Sequence, residues 1–393
     1  MQVRRREKVA IFALVAARVI YATNWLNIGA IFKLMETTLG VGVIGLGDVT
    51  SSFYLGLGLV QIPAGVLAAR VGPKRVVVSG VVLYSLATLG VAASSSLAQV
   101  VALRFVVGSG MALVFAPAVV LVAKLFGGKS AGVGVGVFNS AYDLGGLLGL
   151  YAWIVVATAA GWQTSLLLSG AIGGLTALLV LVLVPGDETS LEFRVRRSAL
   201  LGILMDSQLI LLGLGALALT VGNVLISNFM VYYLNSSLDV PLPTAGLVTA
   251  LVVVIPIATA LWGGRLYDRT RRPKVLMLLS CGGMFVALLL ASIPDLAVAA
   301  LGTAVGGVVS GVGFTTAFAW ARDLNRAEVE YDGLAIAWVN GISLTGAFIP
   351  SAVYSLVAGA WGYSASWLAG GVLCLALTVP VFFQNEGIPV RAA

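Results

Sequence analysis

Apolar runs long enough to cross a membrane recur twelve times along this chain, and that leaves few folds open to it. A hydrocarbon core about 30 Å thick takes about 20 helical residues per crossing. Runs of that kind fall near 8–31, 48–69, 76–94, 97–122, 131–157, 162–184, 207–234, 243–265, 275–293, 296–320, 333–358 and 362–384. They are numbered below as spans one to twelve. Being long and continuous rather than short and alternating, they predict helices and not a β-barrel. Charged residues make up 10% of the chain and hydrophobic ones 60%. A soluble globule or a disordered chain needs more charge than that. The expected class is an all-α integral membrane protein. Span one is too long for a cleavable signal peptide and carries Arg18, Asn24 and Asn27, so none is expected.

Lysine and arginine set the sidedness. With the N-terminus inside, the segments on the cytoplasmic side hold Arg4, Arg5, Arg6 and Lys8; Arg70, Lys74 and Arg75; Lys124 and Lys129; Arg194, Arg196 and Arg197; Arg265, Arg269, Arg271, Arg272 and Lys274; Arg322 and Arg326; and Arg391. These are 20 of the 23 basic residues. Only Lys33 falls outside, in an exterior loop read as 32–47, while Arg18 and Arg104 lie within spans. One miscounted span would invert every later loop. The net charge of +7 is therefore a topology signal and a contact for anionic lipid, not a nucleic-acid footprint. A multi-pass plasma-membrane protein with both termini in the cytoplasm is expected, as a monomer.

Other chemistry is excluded by count. There is no histidine, which removes histidine-ligated metals and histidine-centred catalysis. Cys281 and Cys374 both lie in apolar runs about ninety residues apart and read as small buried hydrophobes. No cofactor or metal is expected.

The chain also repeats itself. GVLAARVGPKR, Gly65 to Arg75, follows span two, and GRLYDRTRRPK, Gly264 to Lys274, follows span eight, at an offset of 199. Gly161-Trp162-Gln163-Thr164-Ser165 is echoed at an offset of 201 by Gly362-Tyr363-Ser364-Ala365-Ser366, and Asn139 by Asn340. Three echoes at nearly one spacing point to a six-plus-six duplication. The expected domains are 1–184, a polar cytoplasmic joint over 185–206, and 207–393.

The loop after span two resembles the GxxxD/A-R-x-G-x-K/R signature of the major facilitator superfamily (MFS). Arg104-Phe105-Val106-Val107-Gly108-Ser109-Gly110 in span four is similar to that superfamily's RxxxGxG motif. The resemblance covers the whole chain and implies two pseudo-symmetric six-helix bundles that rock about a central site, giving alternating access. It implies gating roles for Gly65, Arg70, Gly72, Lys74 and Arg75 in the first copy, and for Asp268 and Arg269 in the second. Gly65 is expected to let span two approach a neighbour closely, and Glu328, Glu330 and Asp332 to pair with Arg70, Lys74 and Arg75. The acid usual in the signature is Ala69 in the first copy and survives only as Asp268.

Ionisable groups inside spans are costly and read as functional by default. Arg18 lies ~15 Å up its helix from Lys8, Arg104 roughly 12 Å below the outer end of span four, and Asp143 ~18 Å from the cytoplasmic end of span five. Two guanidiniums against one carboxylate leave a positive charge unneutralised, and arginine does not deprotonate to escape it. A bound anion would supply the balance. Arg18 and Arg104 are the candidate anion-binding residues and Asp143 the candidate proton-coupling site. Tyr21, Asn24, Asn139 and Asn340 complete the expected binding set; Arg18, Tyr21 and Trp25 share one helical face.

Span five, Phe138 to Gly149, resembles the family's glycine-rich fifth helix, but Ala141-Tyr142 stands where drug–proton antiporters carry a Gly-Pro pair. The loop Lys124 to Gly132 is similar to that of organic-anion, monocarboxylate and nitrate members. A secondary transporter for a small organic or inorganic anion, such as a monocarboxylate, is expected, with protons as a coupling ion. The alternative is efflux of amphipathic compounds. An enzyme would need a cluster of polar groups at one face, and a receptor a sizeable exterior domain; neither is present in the sequence. A channel fits less well with duplicated halves.

Overall fold

The structure is a computed structural model that describes residues 5–126, 131–186, 197–325 and 331–385. Among them the regular secondary structure is all helical. Twelve helices are long and apolar enough to cross a membrane: Arg6–Leu39, Val43–Val71, Pro73–Ala92, Leu97–Phe126, Gly136–Ala160, Trp162–Leu183, Ser207–Leu238, Leu242–Thr270, Pro273–Ala291, Leu296–Leu324, Asp332–Trp361 and Tyr363–Phe382. Each corresponds to one run in the sequence. The protein is a multi-pass, all-α membrane protein.

The ends of these helices follow from their sequence. Pro73 and Pro273 sit at the first helical position of spans three and nine, where a missing N–H costs nothing. Ser96, Asp206 and Asp295 are N-caps whose side-chain oxygens accept from backbone N–H groups one turn on. Gly161 (φ 87°) and Gly362 (φ 83°) end spans five and eleven in a conformation open only to glycine. The matching geometry, 201 residues apart, is the duplication seen in the backbone.

One expectation needs correcting. Span one runs on through Lys33 and Glu36 to Leu39, and span two begins at Val43, so the exterior loop read as 32–47 shrinks to a tight turn. Lys33 lies on the helix, paired with Glu36 at 2.7 Å; charge three residues apart on one face ended the apolar run before the helix ended. Within the stretch 185–206, the described residues include a short helix, Arg197–Leu204. Arg4, Lys129, Arg194, Arg196, Arg326, Glu328, Glu330 and Arg391 lie outside the described residues, and with them most of the acids expected to pair with the first basic loop.

The chain forms two compact units, Met1–Phe193 with Pro241–Ala250, and Arg194–Val240 with Leu251–Ala393. In the first, small residues let backbones meet, as membrane packing requires. A Cβ at Gly56 would collide with the carbonyl of Phe105, and one at Gly108 with that of Phe53, so spans two and four touch backbone to backbone. A Cβ at Gly145 would strike the carbonyl of Val19, which fixes span five against span one. Thr23 Oγ1 donates to the carbonyl of Gly145 across the same contact, at 3.1 Å. The outer faces are oily: Leu175, Leu178, Leu181 and Val182 on span six, and Val372, Val379 and Phe382 on span twelve, are all exposed. That is a surface made for lipid.

Three spans are interrupted. Span four breaks at Leu113–Val114 between helices Leu97–Ala112 and Phe115–Phe126, because Pro117 has no N–H to give to the preceding turn. Span eleven breaks at Ala347, ahead of Pro350. Span five holds a π-helical turn, Leu148–Ala152, just beyond Asp143 and Gly145.

Candidate functional site

Arg18 is the centre of the most unusual cluster in the first unit. It is 6% exposed, and its guanidinium carbon lies over the rings of Tyr21 (4.6 Å), Phe115 (4.7 Å), Tyr142 (4.7 Å) and Phe138 (5.2 Å). Tyr21 comes one turn up span one. Phe138 and Tyr142 stand one turn apart on span five, and Phe115 opens the second half of span four, directly after the break. Cation–π attraction holds the charge there, yet Nε and Nη1 find no hydrogen-bond partner within the protein. Asp143 is half-buried beside Tyr142 and forms no ion pair with Arg18.

The rings continue away from Arg18. Tyr21 packs on Trp25 at 5.7 Å between centroids, and Trp25 meets Tyr142 edge to face at 5.8 Å. Trp25 Nε1 donates to the Tyr54 hydroxyl at 3.1 Å, which fixes the indole. The face shared by Arg18, Tyr21 and Trp25 is therefore one aromatic wall with a guanidinium at its base.

Arg104 is built differently. It is 3% exposed, its carbon lies 4.4 Å over Phe53, and Nη1 donates to the carbonyl of Asn24 at 3.1 Å. Its Nε has no partner. Asn24 is wholly buried: Nδ2 donates to the Ile20 carbonyl, and Oδ1 accepts from Thr88 Oγ1, both at 3.0 Å. This corrects its expected role. Both polar ends of the Asn24 amide are spent inside the bundle, tying span one to span three. Asn27 likewise reaches Ser169 of span six.

The remaining expected residues are dispersed. Asn139 is exposed although its neighbour Phe138 is buried. Asn340 is half-buried on span eleven of the second unit, its carbonyl accepting from Ser343. In that unit Asn228 is used internally, donating to the Val224 carbonyl at 2.9 Å. Phe115, Phe138 and Tyr142 were not among the expected binding residues. The i,i+4 spacing of two rings next to Asp143 was the signal available; for Phe115 there was none.

After spans two and eight, the residues of the two signature loops differ in how they are placed. Gly72 turns the chain from span two to span three with φ 94°, and 199 residues on Arg271 takes the same place with φ 51°. The close approach expected at Gly65 is absent: no atom lies within 4 Å of a Cβ built there, and Gly56 makes that contact instead. Arg70 and Arg75 are exposed and Lys74 half-buried. In the second copy Asp268 and Arg269 are exposed. Their neighbour Tyr267 is 1% exposed, and its hydroxyl donates to Asp323 Oδ2 at 2.7 Å. That hydrogen bond ties span eight to span ten, and Asp323 also pairs with its neighbour Arg322 at 2.9 Å. Lys274 caps the last turn of span twelve, donating to the carbonyls of Phe382 (2.8 Å) and Gln384 (3.2 Å).

Residues 14–220 and again 212–391 match the profile of the Major Facilitator Superfamily. The chain belongs to that superfamily. Its two consecutive matches restate the duplication. Among relatives in the superfamily, the niacin transporter NiaP of Acinetobacter baylyi is 30% identical over 151 residues, 38% of this chain and 34% of that one. The 4-hydroxybenzoate transporter PcaK of Pseudomonas aeruginosa is 28% identical over 170 residues, covering 43% and 38%. The matched stretches thus span only about a third of those relatives' length. The nitrite extrusion protein of Bacillus subtilis is 24% identical over 83% of this chain and 81% of its own. A solved bacterial homolog of the human lysosomal transporter Spinster superposes with a TM-score of 0.77 at 16% identity, covering 97% of each chain. The nucleoside transporter NupG gives 0.78 at 14% identity, covering 96% of this chain and 99% of that one. At such identities the likeness carries the fold.

Proposed function

We propose that this MFS protein is a secondary active transporter of a small anion, received at Arg18. The observation that carries the reading is the state of that side chain: buried, ringed by aromatics, and with two guanidinium nitrogens lacking partners. An arginine at mid-membrane costs about 2.5–3.5 kcal/mol or more to place. An anion about 4 Å away at an effective dielectric near 20 gains about 4 kcal/mol. The charge is costly when the site is empty and compensated when it is filled, which suits a binding site rather than a packing element. The sequence relatives named above are named for substrates that are anions near neutral pH: niacin, 4-hydroxybenzoate and nitrite.

In this reading Asp143 is the coupling acid. It lies near enough to sense Arg18 without bonding to it, and is half-buried, so a proton can reach it. Protonation removes the one carboxylate that competes with the cargo for Arg18. The protein sits in the plasma membrane with both termini in the cytoplasm, and works by alternating access between its two units. Reconstituted protein tests this directly. Entrance counterflow of labelled carboxylates or nitrate is expected, accelerated by an inward proton gradient. Asp143→Asn is expected to keep counterflow and lose the acceleration. Counterflow confined to neutral or cationic solutes would end the anion reading.

A further inference from the structure

The four rings about Arg18 are not equally closed. Tyr21 and Phe138 are each 1% exposed, whereas Tyr142, Phe115 and the adjacent Asp143 are half-buried. Tyr142 and Phe115 are thus the two rings about Arg18 that keep surface for a ligand to touch. Tyr142 is also the rim of the aromatic wall, meeting Tyr21 at 6.5 Å and Trp25 at 5.8 Å.

We infer that the cargo is a planar aromatic monocarboxylate, its carboxylate on the unpartnered nitrogens of Arg18 and its ring against Tyr142 and Phe115. The inference rests on the anion reading above and narrows it. Small inorganic anions are strongly hydrated, and this pocket replaces their water with rings that offer one guanidinium and few other donors. A short aliphatic acid keeps the guanidinium but has nothing to lay on the wall. An aromatic acid uses both, since rings pair edge to face or offset with Tyr and Phe. Tyr142 and Phe115, half-buried, would take the ring, and the unpartnered Nε and Nη1 of Arg18 would take the charge.

Purified full-length protein in liposomes decides the matter, with labelled benzoate as the probe in counterflow and acetate, nitrate and benzamide as competitors. Benzoate is expected to be carried, with unlabelled benzoate competing at least tenfold better than acetate or nitrate, and benzamide inert. Tyr142→Leu and Phe115→Leu are expected to narrow the gap between benzoate and acetate, while Tyr142→Phe, which keeps the ring, preserves it. Acetate or nitrate competing as well as benzoate overturns the aromatic class and leaves the anion reading standing. Uptake of acetate or nitrate without benzoate does the same. Benzamide competing on a par with benzoate overturns both. The selectivity of the unaltered protein alone settles the class if a variant fails to fold.

Discussion

Two buried arginines that look alike in the sequence have different work. Arg104 is held by a helix carbonyl and lies on Phe53, between spans one and four; Arg18 is faced by four rings and keeps two unpartnered nitrogens. In the proposed reading Arg104 is a brace and Arg18 the receptor. Arg18→Gln is expected to weaken anion binding by about a hundredfold or more, the loss of a close charge–charge contact, with melting temperature unchanged or raised. Arg104→Gln should lower the melting temperature and leave KM near its original value. Counterflow kinetics beside a thermal-shift assay separate the two, and an unchanged KM in the Arg18 variant would remove the receptor role. The second signature loop divides in the same way. Asp268 is exposed, while Tyr267 is buried and bonded to the Asp323 carboxylate. Tyr267→Phe should cost about 1.5–3 kcal/mol, the range for a hydrogen bond to a charged group, and Asp268→Asn close to nothing. Equal melting temperatures for the two variants would contradict this.

At the scale of elements, what the sequence made legible was the position of each helix and little of what interrupts it. Apolar length and flanking charge located all twelve spans, because both follow from bilayer thickness. The breaks in spans four and eleven were foreshadowed by Pro117 and Pro350, but a proline inside an apolar run does not say which side chains its kink will bring together. The π-helical turn in span five leaves no composition signal at all. The ring cage needed spans one, four and five to meet, and no local pattern carries that. Glycine is the exception, being readable once a neighbour is known. Gly145 lets span five lie on Val19, next to Arg18. Gly145→Ala should destabilise by about 1–3 kcal/mol, as overpacking does, and should impair transport more than stability, since it pries the cage apart. The turns give the opposite sign: Arg271 sits at φ 51° where the first copy has glycine. Left-handed backbone costs a side-chain-bearing residue roughly 1–2 kcal/mol. Arg271→Gly should raise stability by a fraction of that after glycine's entropy is counted, and a fall in melting temperature would show the strain is absent.

For the whole molecule, the two repeats share a frame and differ in chemistry. Gly161 and Gly362 turn alike, and Gly72 and Arg271 occupy the same turn, yet the mid-span charges belong to the first unit, where Arg18, Arg104 and Asp143 lie. Duplication thus fixed the helices and left the side chains free to diverge, which is why the fold could be read from spacing while the site could not. The same frame predicts the sidedness: with twelve spans the basic loops fall on one face, and eleven or thirteen would scatter them. Cysteine labelling measures this without a substrate. Cys281 and Cys374 are both buried at 0% exposure, Cys374 donating from Sγ to the Cys281 carbonyl at 3.7 Å, so the unaltered protein should resist a membrane-impermeant maleimide. A cysteine placed at exposed Arg75 or Asp268 should then label only when the cytoplasmic face is open to the reagent. One placed at Asp239 or Asp295, in the turns at the opposite helix ends, should label from outside intact cells. Asp239 and Asp268 stand at opposite ends of a single span, so labelling from the same side would mean that span eight does not cross. The order of every later loop would then invert, and the positive charge would lose its meaning as a topology signal.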